Sequence, residues 1–159
     1  MKKLLLSLFL LLPLISKAEQ NSFSITPKAI LSGICFIDAN DIALGNIGYT
    51  GYSSGTGNIT VLCTRTTTFS IAIATGSNGT SGNRYLKHTT AADKIPYTIC
   101  KGPGFNGSAC SSGLWGTGEY VLNSTGTGFF QTFKPYVYTV NSYTRPGNYS
   151  DSTSAIITF

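Results

Sequence analysis

A catalyst needs nucleophiles, proton carriers or metal ligands gathered at one place, and this chain carries few. Its 159 residues hold one histidine, His88, four cysteines and six acidic residues. A serine triad built on a lone imidazole is a poor reading, and a solvated histidine on a strand edge is the expectation for His88. Asp38 and Asp41 are spaced as an acid/base or metal pair could be, yet turn capping after a first strand accounts for both. Gly102-Pro103-Gly104-Phe105-Asn106-Gly107 spells a dinucleotide loop. Such a loop must open a helix whose N-terminus holds the pyrophosphate, and nothing helical follows. No zinc-type Cys/His spacing exists. The sequence therefore predicts no enzyme, no metal and no cofactor.

The cysteines point elsewhere. An even set in an exported chain reads as disulfides. Four allow three pairings, of which Cys35–Cys63 with Cys100–Cys110 is preferred. Cys100 and Cys110 bracket a turn-rich loop that a bridge would staple, while Cys35 and Cys63 sit in apolar strand-like runs.

Export is read from residues 1–18. Lys2 and Lys3 precede an apolar stretch, and Ser16-Lys17-Ala18 places small residues at −3 and −1 of a cleavage site. The stretch is too short to span a bilayer, which takes ~20 residues, so no stable membrane insertion is expected. Cleavage leaves 141 of the 159 residues, removes three of eleven bases and no acid, and lowers the net charge from +5 to +2. The remaining bases are scattered singly, whereas nucleic-acid binding calls for clustered ones. No nucleic-acid partner is predicted.

The elements that fill the mature chain follow a two-residue period. Ile59-Val61-Cys63, Phe69-Ile71-Ile73, Tyr136-Tyr138-Val140 and Ala155-Ile157-Phe159 each alternate with their neighbours. Turn clusters separate them, among them Gly51 to Gly57, Thr75 to Gly79 and Pro146-Gly147-Asn148. At 42% hydrophobic and 11% charged, the composition supports a packed core. The prediction is all-β, an antiparallel sandwich. Most of the nine tyrosines are expected in its packing, and Phe129-Phe130 is the best exposed aromatic candidate.

The two ends depart from an ordinary sandwich. Phe23, Ile25, Pro27, Ala29 and Leu31 occupy alternate positions, with Ser, Thr or Lys between them and Ile30 as the exception. Pro27 lacks an N–H, which suits an edge or added strand. The far end, Ala155 to Phe159, is an apolar strand with no further strand after it. A sandwich without its last strand exposes unpaired backbone and an open groove.

In order along the chain come the alternating segment ending at Leu31 before Cys35, then Leu44-Gly45-Asn46, then Gly57-Asn58-Ile59-Thr60-Val61-Leu62-Cys63-Thr64. Ile95-Pro96-Tyr97-Thr98-Ile99, Leu114-Trp115-Gly116-Thr117-Gly118 and Pro146-Gly147-Asn148-Tyr149-Ser150-Asp151-Ser152 follow. This series resembles the spore coat protein U family, the Csu-type subunits of archaic chaperone–usher pili, and Gly-x-Tyr-x-Asp is its most specific part. Leu44 stands where the family often has an aromatic, Tyr136-Val137-Tyr138 where it tends to have Tyr-Gly-Arg, and the Cys100–Cys110 loop is an insert.

The resemblance implies an incomplete immunoglobulin-like fold completed by a donated strand. Residues 19–34 become a donor extension and 35–159 the sandwich domain. Phe23, Ile25, Pro27, Ala29 and Leu31 become the donor residues, and Ala155, Ile157 and Phe159 border the acceptor groove. The implied partners are a periplasmic chaperone, an outer-membrane usher and neighbouring pilus subunits. The implied location is the periplasm and then the cell surface, with a role in adhesion and biofilm. The length fits a shaft or adaptor subunit. The competing expectation is a self-contained lectin-like or coat module whose residues 23–31 complete its own sheet.

Overall fold

The computed structural model describes Ser24 and residues 26–48, 52–140 and 144–159. Residues 1–18, expected as a signal segment, and Phe23, Ile25, Tyr49 and Tyr143 lie outside the described residues. The chain divides into two units, Met1–Leu31 and Ser32–Phe159. Residues 26–34 belong to no strand and are exposed. An extended segment without a ladder partner gains too little to hold strand geometry.

Among the described residues eleven antiparallel strands form the second unit. They are β1 (Cys35–Ala39), β2 (Tyr52–Thr56), β3 (Ile59–Cys63), β4 (Thr68–Ile73), β5 (Arg84–His88), β6 (Lys94–Cys100), β7 (Leu122–Thr125), β8 (Phe130–Phe133), β9 (Tyr136–Val140), β10 (Tyr149–Ser150) and β11 (Ala155–Thr158). Three sheets result, in the orders β1-β3-β8, β10-β5-β6-β9-β2 and β11-β4-β7. A single 3-10 turn at Gly118–Tyr120 is the helical content of the described residues.

Alternation decides which side chains enter the core. Ile59, Val61 and Cys63 of β3 are buried while Thr60 and Leu62 are half-buried on the other face. Phe69, Ile71 and Ile73 of β4 meet them, joined by Tyr97, Ile99, Val137 and Trp115. Both cystines staple this framework. Cys35–Cys63 links the inner faces of adjacent β1 and β3, and Cys100–Cys110 closes the loop after β6. The longer of the two loops, with 28 residues of separation, contributes more, ~3.6 kcal/mol in the chain-entropy picture.

Tyr52–Thr56, expected as a turn cluster, is instead a full strand along the edge of the five-stranded sheet, paired with β9. Glycine is required there for a packing reason. A Cβ at Gly55 would fall on the Ala43 carbonyl of the loop that crosses it. The turn after β1 is held by Asn40, whose Oδ1 accepts the Asn58 amide at 2.6 Å, and neither Asp38 nor Asp41 supplies that bond.

Candidate functional site

Each of the three sheets has a border strand at either end, and two of these borders come within contact of each other among the described residues: β1, of one sheet, and β11, of another. Ala155 and Ile157 of β11 and Ile37 of β1 turn toward the core but are only half-buried. Ile156 and Phe159 are exposed. Beside the start of β11 a cleft of about 220 Å³ opens onto the core, lined by Ile42, Leu44, Ile73, Ile99, Val137 and Ala155. A larger recess of about 590 Å³ on the outer face of β11-β4-β7 is lined mainly by Thr68, Ser70, Asn123, Ser124 and Thr158. Phe69 and Phe159 also border that recess, and Asn40, Asp41, Asp151, Ser152 and Thr153 form the polar part of the cleft wall.

A polar bracket holds the rim of the cleft. Asp151 Oδ2 accepts the Tyr97 hydroxyl at 2.7 Å, and Oδ1 accepts Ser77 Oγ, the Asn78 amide and Asn78 Nδ2 at 2.9, 3.0 and 3.0 Å. Burial acts to raise the Asp151 pKa, but the bonds from Tyr97, Ser77 and the Asn78 and Ser152 amides outweigh it and hold it below the ordinary carboxylate value. Burial, then the bond to Asp151, pushes the Tyr97 phenol well up. Arg84 donates to the carbonyls of Ala74 and Ile73 at 3.1 and 2.8 Å, and its partial burial lowers its pKa against the pull of Tyr97 and Asp151. The bracket therefore ties the segment leading into β11 to the loop after β4 and to β6.

These contacts give the Gly-x-Tyr-x-Asp pattern a physical content. A Cβ at Gly147 would overlap the His88 ring. Tyr149 meets that ring edge-on, 5.0 Å between centroids, and donates its hydroxyl to the Arg145 carbonyl at 2.6 Å. Asp151 forms the bracket. His88 is accordingly buried, not solvated on an edge, and its Nδ1 accepts the Thr90 amide at 3.1 Å. Sequence reasoning missed Asp151, Tyr97 and Arg84 as a unit. The available signal was the fixed spacing of 147, 149 and 151.

The chemical candidates do not assemble. Among the described residues no group of three or more His, Cys, Asp or Glu could hold a metal. Residues 102–107 form an irregular loop in which Phe105 bridges Cys110 and stacks on Tyr138 at 5.0 Å, with no α-helix after it among the described residues. Gly51-Tyr52-Ser53-Ser54-Gly55 has the spelling of a nucleophile elbow, but Ser53 lies inside β2 opposite Thr139 and donates to the Asn46 carbonyl at 2.9 Å. No helix among the described residues is long and apolar enough to cross a membrane.

Replacing Asp151 with Asn is expected to destabilise the domain by ~1–3 kcal/mol, since the Tyr97 hydroxyl and the Asn78 amide lose a charged acceptor. A depressed carboxyl pKa adds stability that is complete above the unfolded pKa of ~3.9 and is lost as pH falls through the folded value. Urea midpoints followed from neutral pH downward should therefore drop more steeply in the wild type than in D151N. Parallel curves would refute the bracket.

The fold is that of a disulfide-stapled, immunoglobulin-like antiparallel sandwich. Among the solved structures that share it are two chaperone complexes. One is the CsuC–CsuE chaperone–tip adhesion subunit pre-assembly complex from the archaic chaperone–usher Csu pili of Acinetobacter baumannii, at 17% identity and a TM-score of 0.61, covering 81% of this chain and 40% of that one. The other is a chaperone–tip adhesin complex described as vital for synergistic activation of CFA/I fimbriae biogenesis, at 14% identity and a TM-score of 0.50, covering 78% of this chain and 42% of that one. The chain thus spans about two fifths of the length of these relatives. None of the curated proteins compared matches the sequence. The Spore Coat Protein U domain model matches residues 20–155, and the chain belongs to that family.

Proposed function

We propose that this protein is a structural, non-enzymatic subunit of a chaperone–usher surface pilus, exported to the periplasm and polymerised by donor-strand complementation. The observation that carries the reading is the pair of unladdered edges, β1 and β11, beside a cleft that opens onto the core. A strand laid along one of these edges would satisfy its main-chain donors and acceptors while alternate side chains fill the cleft. Its source is the alternating segment of another copy, Phe23, Ile25, Pro27, Ala29 and Leu31. In this chain Pro27, Ala29 and Leu31 are exposed and unladdered. Family membership and the chaperone-bound fold relatives support a periplasmic chaperone, which would fill the same edge before assembly. An usher, neighbouring subunits and a role in adhesion and biofilm complete the proposal. Ala155 and Ile157 then face the incoming strand, and Phe159 lies just past the end of β11.

Size-exclusion chromatography of the mature protein with and without a synthetic peptide of residues 19–34 tests this. The expected result is multimers or aggregate alone and a monomeric complex with excess peptide. A stable monomer indifferent to the peptide would instead mark a self-contained module.

A further inference from the structure

The outer face of the β1-β3-β8 sheet carries an apolar row that neither the core nor the cleft uses. Register sets Phe36, Leu62 and Phe130 side by side across the three strands. Phe36 is 62% exposed, Phe130 74% and the adjoining Phe129 77%, with Ile34 48% exposed just before β1. The row two residues further along the same face is Asp38, Thr60 and Thr132, as a solvated sheet would have it. Single exposed apolar residues need no explanation, but a contiguous apolar patch marks an interaction surface.

Its position says what covers it. The patch lies at the end of the sheet where the N-terminal segment enters β1. From Leu31, the last of the proposed donor residues, to Ile34 is three residues, at most about 11 Å when extended. A neighbour holding Leu31 in its cleft is therefore tethered within that reach of Ile34, close to the aromatic row. Tethering raises the effective concentration of the two bodies to about the millimolar range, so a modest apolar contact suffices to close.

We propose that Phe36, Phe129 and Phe130 dock the body of the neighbouring subunit, a second copy of this chain, so that each joint of the fibre has a donated strand and a body contact that fixes its angle. The inference rests on the donor-strand reading. Hydroxyl-radical footprinting compares fibres with the mature chain complemented by the 19–34 peptide, which has the strand but no neighbouring body. Modification of Phe36 and Phe130 is expected to fall roughly tenfold in the fibre, as for rings entering a dry interface core. A variant carrying Phe36→Ser and Phe130→Ser is expected to keep the wild-type ladder of detergent-resistant multimers while its fibres lose stiffness in electron micrographs. Equal modification in fibre and complex overturns the proposal and leaves strand donation standing. Protection in a chaperone complex but not in the fibre assigns the patch to the chaperone and overturns it too. Absence of any ladder in the wild type overturns the donor-strand reading, and this inference with it.

Discussion

Deleting residues 19–31 is expected to reduce fibre formation to background while leaving a chain that still accepts a strand. Phe23, Ile25 and Leu31 each contribute about 1.5–3 kcal/mol when buried, so their loss removes most of the side-chain energy of the joint, and the ladder bonds go with them. The acceptor side is untouched, because β1, β11 and the cleft lie after residue 34. A complementary variant sharpens the result. Ile157→Asp places a charge on the core-facing, half-buried side of β11, where an unpaired carboxylate is strongly disfavoured. It should donate but not accept. Each variant alone should give no ladder, and an equimolar mixture should stop at a dimer, since a head-to-tail contact needs both surfaces on every copy to propagate. Detergent-resistant ladders and light scattering read both outcomes, and normal fibres from the deleted chain would refute strand donation.

How much of this the sequence disclosed depends on whether the determining contact was local. Strands β3, β4, β9 and β11 are visible because a two-residue period is written in adjacent residues. The pairing of Cys35 with Cys63 is visible because both lie in such runs. Strand β2 was hidden, since Tyr52–Thr56 carries two serines and a glycine and reads as a turn. What makes it a strand is five-residue pairing with β9, eighty or more positions away in sequence. His88 was misplaced for the same reason: the residues that bury it, Gly147 and Tyr149, arrive from some sixty residues further on. The Asp151 bracket was half legible, because the spacing was plain while Tyr97, Ser77 and Asn78 meet it only through tertiary pairing.

Trp115 shows how a single buried side chain governs the edge that assembly would use. It is fully buried, and its indole Nε1–H donates to the Ile71 carbonyl at 2.9 Å while its backbone amide donates to the Ile99 carbonyl at 2.9 Å. Ile71 lies in β4, directly opposite Ile157 of β11, so the indole fixes the strand on which β11 is laid. Trp115→Ala is expected to cost ~3–5 kcal/mol from lost packing and the cavity left behind. Domains of this size have only ~5–15 kcal/mol in total, so the variant should be largely unfolded alone. Trp115→Phe keeps most of the ring volume but strands a buried carbonyl, for ~1–3 kcal/mol. A ligand present at a hundred times its dissociation constant adds ~2.7 kcal/mol to whatever folded state binds it. The 19–34 peptide should therefore restore a cooperative urea transition to Trp115→Phe and fall short with Trp115→Ala. Identical midpoints for the two variants would mean that the indole neither fills nor braces this core.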